Sequence, residues 1–482
     1  MRHGFNRGRP SRSLIAAGAA WLVLVAAPFQ AQQPASVSRS DNELRKAVSQ
    51  FEKQDYEAAR KTLEALRPRL ANQFGFNELL GLVYAAENKN EDALPYLEQA
   101  VRLNPRSALA RTNLANCQMR LRNMSAAEAE FKKAIQIEPS SYAANHDLGE
   151  LYIRTRRLDD ALPYLQKAQQ ARPSAYDNGY DLALAEFDSG DWNQAKVEIE
   201  SLLPLHNTAE LHELLAETEE AEKNYLAAEK EFELAAHMDP SENNLFAWGS
   251  ELLLHHTLEP AVQVFTQAVA LHPRSPKLQS GLGVALFARS HYKRAIEAFC
   301  RAVDLDPTDP RPYVFLGKIY DISPSQASEV TERLAQFVRL QPQNAQACYY
   351  YAMSLWKGVR SENRTTDLAA IQSLLKEAIT LDPSMAQAYL ELGIFYAEKH
   401  QYAAAVGEYR EAIRRDPALA DAHYRLGEAL IRLGKRPEAD RELQTFRRLQ
   451  AKQTVEKDKQ RSEILEFVLT TEKDQSHRAG SP

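Results

Sequence analysis

Cysteine is scarce in this chain. Cys117, Cys300 and Cys348 are the only three in 482 residues. An odd count at such wide spacing argues against a disulfide framework and a cysteine metal site, and favours buried free thiols. Long apolar runs are also missing. The most apolar stretch, LIAAGAAWLVLVAA at residues 14–27, falls short of the roughly 20 residues a membrane-spanning helix needs. There is no phosphate-cradling Gly-rich loop and no Gly-x-Ser-x-Gly elbow. No Cys/His arrangement suits nucleophilic catalysis. His255 and His256 are adjacent, so they point apart and read as turn residues rather than a metal pair. No catalytic, cofactor-binding or metal-ligating residues are therefore expected.

The first residues differ from the rest. MRHGFNRGRPSRS is basic, the 14–27 run follows, and small residues come next. That order reads as a secretory signal peptide over 1–31, with an uncleaved anchor as the alternative. Either reading places the remainder outside the cytoplasm, in the periplasm or cell envelope of a bacterium, with membrane contact only through this segment if it is uncleaved. Residues 1–31 hold Arg2, Arg7, Arg9 and Arg12 and no acid. Without them, 55 basic residues face 65 acidic ones, a net charge of −10. A general nucleic-acid binder wants a basic face, so no nucleic-acid partner is expected.

What the chain has in quantity is a period. Prolines close similar phrases at Pro105, Pro139, Pro173, Pro240, Pro273, Pro307, Pro342, Pro383 and Pro417, with Asn207 filling the missing step. The spacing is 33 to 35 residues, apart from one of 41. Most of these are preceded, 24 residues earlier, by a Gly or Ala: Gly81, Ala115, Gly149, Ala183, Ala216, Gly249, Gly283, Gly317, Ala352, Gly393 and Gly427. Alanines follow 12 and 19 residues after most of these markers. Between them apolar residues recur at three and four, the helical period. Each period therefore reads as two antiparallel helices, A and B. The small marker lets them approach, and the Pro ends helix B.

The period settles one tempting motif. Asp304-Leu305-Asp306-Pro307-Thr308 fits a D-x-D-x-T phosphatase pattern. The same slot reads MDP, LDP and RDP in other units, and an amphipathic helix precedes it where that chemistry needs a buried strand. It is a helix terminator.

LLGLVYAAENKNEDALPYLEQAVRLNP and ELGIFYAEKHQYAAAVGEYREAIRRDP resemble the tetratricopeptide repeat pattern L-G-x-x-Y…A…F/Y/L…A…P. The resemblance covers about residues 41–451, in twelve units from 41–73 to 420–451, after a 32–40 linker and before a charged 452–482 tail that could add a capping helix. It implies an all-α, right-handed α-solenoid of about 11–12 helix pairs. It also implies a non-catalytic scaffold holding a protein or peptide segment in a concave groove lined by the A helices. An adaptor of a polysaccharide-secretion or outer-membrane assembly complex is the more specific alternative. An enzyme or glycan-binding protein is the alternative of another class.

Groove positions follow by offset from the marker: three before, one after, four after. They nominate Tyr349, Met353 and Trp356, together with Phe246, Phe287, Tyr180 and Tyr424. No Lys or Arg stands three before any marker, which argues against a carboxylate clamp. The loop 357–367 accounts for the 41-residue spacing. AELHELLAETEEAEKNYLAAEKEFELAA is strongly acidic and suits a basic partner.

Overall fold

The computed structural model describes residues 39–322, 327–362 and 368–452. The expected signal segment, most of the linker, the end of the 357–367 loop and the tail beyond Lys452 lie outside the described residues. Arg39 and Ser40 of the expected linker already begin the first helix. The described residues form two compact units, 39–224 and 225–452. Their regular structure is entirely α-helical, and no helix among them is long and apolar enough to cross a membrane.

The first unit holds α1 (Arg39–Glu52), α2 (Tyr56–Leu70), α3 (Phe74–Ala86), α4 (Asn90–Leu103), α5 (Ala108–Arg120), α6 (Met124–Ile137), α7 (Tyr142–Arg154), α8 (Leu158–Ala171), α9 (Tyr176–Ser189), α10 (Trp192–Leu202) and α11 (Ala209–Ala221). The second holds α12 (Tyr225–Met238), α13 (Glu242–Leu254), α14 (Leu258–Leu271), α15 (Pro276–Ala288), α16 (Tyr292–Leu305), α17 (Pro310–Ile322), α18 (Ala327–Leu340), α19 (Ala345–Glu362), α20 (Leu368–Leu381), α21 (Ala386–Glu398), α22 (Tyr402–Arg415), α23 (Ala420–Arg432) and α24 (Arg436–Lys452). Within each unit consecutive helices pack on one another, so hairpins stack as the period requires. Odd-numbered helices are the A helices.

The marker glycines sit where a large side chain of helix B, 16 residues later, presses on helix A. A Cβ on Gly81 would lie 2.7 Å from Leu97, one on Gly149 2.5 Å from Leu165, and one on Gly283 2.6 Å from Phe299. Phe265 is held between two glycines. A Cβ on Gly249 would lie 2.6 Å from its ring, and one on Gly281, on the following A helix, would be closer still. Gly317 departs from the rule: its neighbour is Tyr350 of α19 rather than a residue of α18. This is one of the units whose third marker is displaced, at Val330.

Ten of the turns from helix A to helix B are closed by one left-handed residue, seven after the marker in the units that have one. Gln54, Asn88, Arg122, Arg156, Lys223, His256, Ser290 and His400 have φ between 57° and 68°, and Gly190 and Gly434 occupy the same slot. The next residue's N–H then reaches back five positions around the turn, as Arg157 does to the Tyr152 carbonyl at 2.8 Å. The turn reading for His256 is correct.

The connection from helix B to the next helix A is tied differently. Four residues before the marker, a side chain donates to the carbonyl six positions back, usually that of the terminating proline. Asn77 reaches Ala71 at 2.8 Å, Arg111 reaches Pro105 at 3.0 Å, Asn145 reaches Pro139 at 3.0 Å, Tyr313 reaches Pro307 at 3.2 Å and His423 reaches Pro417 at 3.2 Å. The aspartate before the proline folds the loop. Asp306 accepts the Thr308 N–H at 3.0 Å and its hydroxyl at 2.6 Å, and Asp382 does the same for Ser384. Asp306 is thus a turn residue. The 41-residue spacing has a helical part: α19 runs on to Glu362 and spans 18 residues where its A-helix counterparts span 13 or 14, so a stretch expected to be loop is largely helix.

Two outcomes follow. His256→Gly removes a left-handed L-residue and is expected to stabilise the chain by about 0.5–1 kcal/mol, whereas Gly190→Ala destabilises it by about 1 kcal/mol. Urea midpoints of the full chain check both. Gly281→Ala gains roughly 1 kcal/mol of helix propensity but overpacks Phe265 at about 1–3 kcal/mol, so the net effect is a loss. Adding Phe265→Leu recovers most of it, read in the same titration.

Candidate functional site

The seven groove candidates have different fates. Trp356 is 2% exposed and meets Phe395 edge-on, with ring centroids 5.4 Å apart. Phe246 packs on Phe265, and Lys277 Nζ lies 4.2 Å from its ring centroid. Phe287 packs on Phe315, Tyr180 on Tyr176, and Met353 is buried as well. These five are buried; Trp356 and Phe287 pack between successive A helices, and Phe246 packs on the B helix of its own hairpin. Only Tyr349 and Tyr424 are half-buried, the latter donating to Glu428 at 2.7 Å.

A different surface stands out: the A helices of the first unit. Helices α7, α9 and α11 together carry eleven carboxylates and one guanidinium, Arg154. The preceding A helix, α5, carries Arg111 and Arg120 and no acid. Several of the carboxylates are partly withdrawn from water. Asp147 is 6% exposed, Asp181 8% and Glu186 5%, levels that are uncommon for acids without a partner.

Neighbouring A helices are joined through polar side chains. Asn113 of α5 donates to Glu78 of α3 at 3.3 Å, and Asn116 of α5 donates to Asp147 of α7 at 2.7 Å. Asn178 of α9 is wholly buried, and its amide donates to the Leu165 carbonyl and to Gln169. Its Oδ1 is therefore the acceptor for His146 Nδ1 of α7, 3.3 Å away. That assignment puts a proton on Nδ1. Tyr142, one turn earlier, stacks on the imidazole at 5.5 Å.

Burial lowers the basicity of His146, but Asp181, Asp147 and Glu150 outweigh it and hold the imidazolium above its ordinary range. Burial pushes Asp147 up to about 6 against His146 and Asn116, which favour its charge. Burial likewise lifts Glu78 to about 7, against the Asn113 hydrogen bond. Glu186 reaches about 7 through burial and then the charges of Glu198 and Asp191. One nitrogen of His146 and one oxygen each of Asp147 and Glu150 lie within 4.8 Å of one another, a grouping able to hold a cation. Sequence reasoning missed this group. Its signal was His146 and Glu150 at i and i+4, on one helical face.

The stacked hairpins and their polar A face define a scaffold class built from tandem helix pairs. Tetratricopeptide repeat family profiles match residues 78–142, 155–218 and 247–310, and a TPR repeat profile matches 395–434. The chain belongs to the tetratricopeptide repeat family and is a protein-interaction scaffold in that general sense. No curated protein matches it. Among solved structures it is similar to the APC/C hetero-tetramer Cut9-Hcn1, with 15% identity over 90% of this chain and 96% of that one and a TM-score of 0.39. It is also similar to PilF of Pseudomonas aeruginosa, with 22% identity, 43% and 95% coverage and a TM-score of 0.37. Naa15/Naa10 bound to HypK gives 15% identity, 92% and 78% coverage and a TM-score of 0.34. Likeness of this degree says nothing about partners or activity.

A carboxyl group whose pKa is raised by folding favours the folded state below the ordinary carboxylate range. That contribution is lost as pH rises through its folded value. Between pH 5 and pH 8 the first unit therefore loses stability through Glu186. Glu186→Gln is expected to match the native chain at pH 5 and to exceed it at pH 8 by on the order of 1–3 kcal/mol. Melting curves at the two pH values check this.

Proposed function

We propose that the chain is a non-catalytic scaffold that receives a cationic protein or peptide segment on the face of α7, α9 and α11. The observation that carries this reading is the charge of those helices, eleven carboxylates against one arginine. Arg154 apart, these helices carry no lysine or arginine, so those of a partner would lower the cost of crowding like charges. The stacked hairpins hold the carboxylates in fixed register, so little ordering entropy is lost when an extended segment lies across them. Exposed acids such as Asp177 and Glu210 would set the association rate, and the half-buried Glu213 and Glu217 would set the residence time. The array would work outside the cytoplasm, a reading that rests on the basic and apolar order of residues 1–31. An adaptor role in an envelope assembly complex is compatible with both points.

The test is a fluorescein-labelled Lys/Arg-rich peptide titrated into the full chain by anisotropy. Binding is expected to weaken steeply with salt. It is also expected to fall at least tenfold in the triple variant Asp177→Lys, Glu210→Lys, Glu213→Lys, with helicity unchanged. Equal affinity for native chain and variant, or a preference for an acidic peptide, would remove the reading.

A further inference from the structure

We propose that the first unit carries a site for one divalent first-row transition-metal ion, held by His146, Asp147 and Glu150 of α7, with Asn116 of α5 and Asp181 of α9 beside them. The ligand set is the starting point. The three ligand atoms lie within 4.8 Å of one another. That separation closes onto a metal through small side-chain rotations, because Zn–N and Zn–O distances are about 2.0–2.2 Å. His146 and Glu150 are at i and i+4, one above the other on a helical face. An imidazole combined with carboxylates favours zinc and its neighbours over calcium or magnesium, which take oxygen ligands.

Two further observations point to a ligand independently of that grouping. The first is the support behind the imidazole. Nδ1–H is committed to Asn178 Oδ1, and Asn178 is wholly buried and fixed in turn by the Leu165 carbonyl and Gln169. Metal-binding histidines are held in this way, with one ring nitrogen on an acceptor and the other left for the ion. Here Nε2 is the nitrogen left. The second is a pair of stranded acceptors. Glu150 Oε2 and Asn116 Oδ1 are out of contact with solvent and accept no hydrogen bond. Glu150 Oε1 is already engaged by Arg154, and the Asn116 amide is anchored on Asp147 Oδ2 at 2.7 Å. A buried acceptor without a donor costs about 1–3 kcal/mol, which a cation offsets. Asp147 itself is 6% exposed, and Asp181 adds a further negative charge. All three ligands come from α7, and their outer supports, Asn116 and Asn178, come from the helices on either side. An ion here would therefore fix α7 against its neighbours only through those supports.

The site is tested on the full chain after chelator treatment, with Zn2+ as the probe in a calorimetric titration. One ion per chain is expected to bind saturably, with a rise in melting temperature. The double variant His146→Ala, Glu150→Gln is expected to lose at least tenfold in affinity. A second readout does not depend on the variant folding. Zn2+ is expected to protect His146 from carbethoxylation, mapped by peptide mass spectrometry, while His237 stays reactive. Absence of a stoichiometric Zn2+ site, undiminished binding by the double variant, or unprotected His146 at saturating Zn2+ would each overturn the assignment.

Discussion

The structure depends on one repeated contact: a small residue in helix A under a large residue of helix B. Gly81 lies under Leu97, Gly149 under Leu165, Gly249 and Gly281 on either side of Phe265, Gly283 under Phe299 and Gly393 under Tyr409. Each large residue is almost entirely withdrawn from water, which contributes about 1.5–3 kcal/mol apiece. The absence of a Cβ on the facing helix makes that burial possible. The same contact fixes the distance and rotation of helix B on helix A. The alanines 12 and 19 residues after the marker are likewise withdrawn from water. The buried core therefore runs as a chain of local seams, in which a fault at one marker is felt by the adjacent pair.

Because the seams carry the stability, the remaining face of helix A is free to be polar. That freedom is used unevenly. Helix α5 has two arginines, and both are engaged inside the array, Arg111 by Glu130 at 2.6 Å and Arg120 by the Ala85 carbonyl at 3.1 Å. Helices α7, α9 and α11 have acids without an equal number of bases, and Asp147 and Glu186 are raised in pKa by burial. Such groups weaken the fold at neutral pH. A sequence that needed only to stack would lose nothing by replacing them with glutamine or leucine. Their cost to the fold is the physical reason for treating this face as functional.

Most of the fold was legible because the period multiplies weak signals. A single Gly or Pro says little, but eleven markers in register identify the hairpin and its terminator. The closing of the turns was harder to read. The left-handed slot is filled by Gln, Asn, Arg, Lys, His, Ser and Gly. These residues share no chemistry except tolerance of exposure, so the backbone geometry imposes the conformation rather than the residue. The donors four before the marker share only an N–H or O–H of suitable reach, on Asn, Arg, Tyr or His. Neither slot has a composition to detect. The placement of the groove candidates was illegible for a related reason. A fixed offset names a helical face, and one face of an A helix includes both the seam with the next hairpin and the surface beyond it. Trp356 and Phe287 lie in the seam, since a large aromatic gains more from burial than from exposure. His146 stands at the same offset, three before its marker, so the offset alone does not separate a polar group from a seam aromatic.

The acidic helices also explain why the His146 group lies at α7 rather than farther along. Going from α5 to α7, the charge on the A face changes sign, so α7 is bounded by arginines on one side and carboxylates on the other. Arg154 turns back onto Glu150 and satisfies one of its oxygens, and Asn116 reaches across to Asp147. The neutral asparagines on both neighbouring helices orient His146 and Asp147 without cancelling their charge. Farther along, Glu219 is paired with Lys196 at 2.6 Å, so the field there is already partly neutralised. On α7, in contrast, His146, Asp147 and Glu150 are brought together within 4.8 Å and oriented by asparagines from both sides. A metal ion bound there would reduce the field that attracts a cationic segment to α9 and α11. The two ligands would then oppose one another through charge alone, without any change in the stacking of the hairpins.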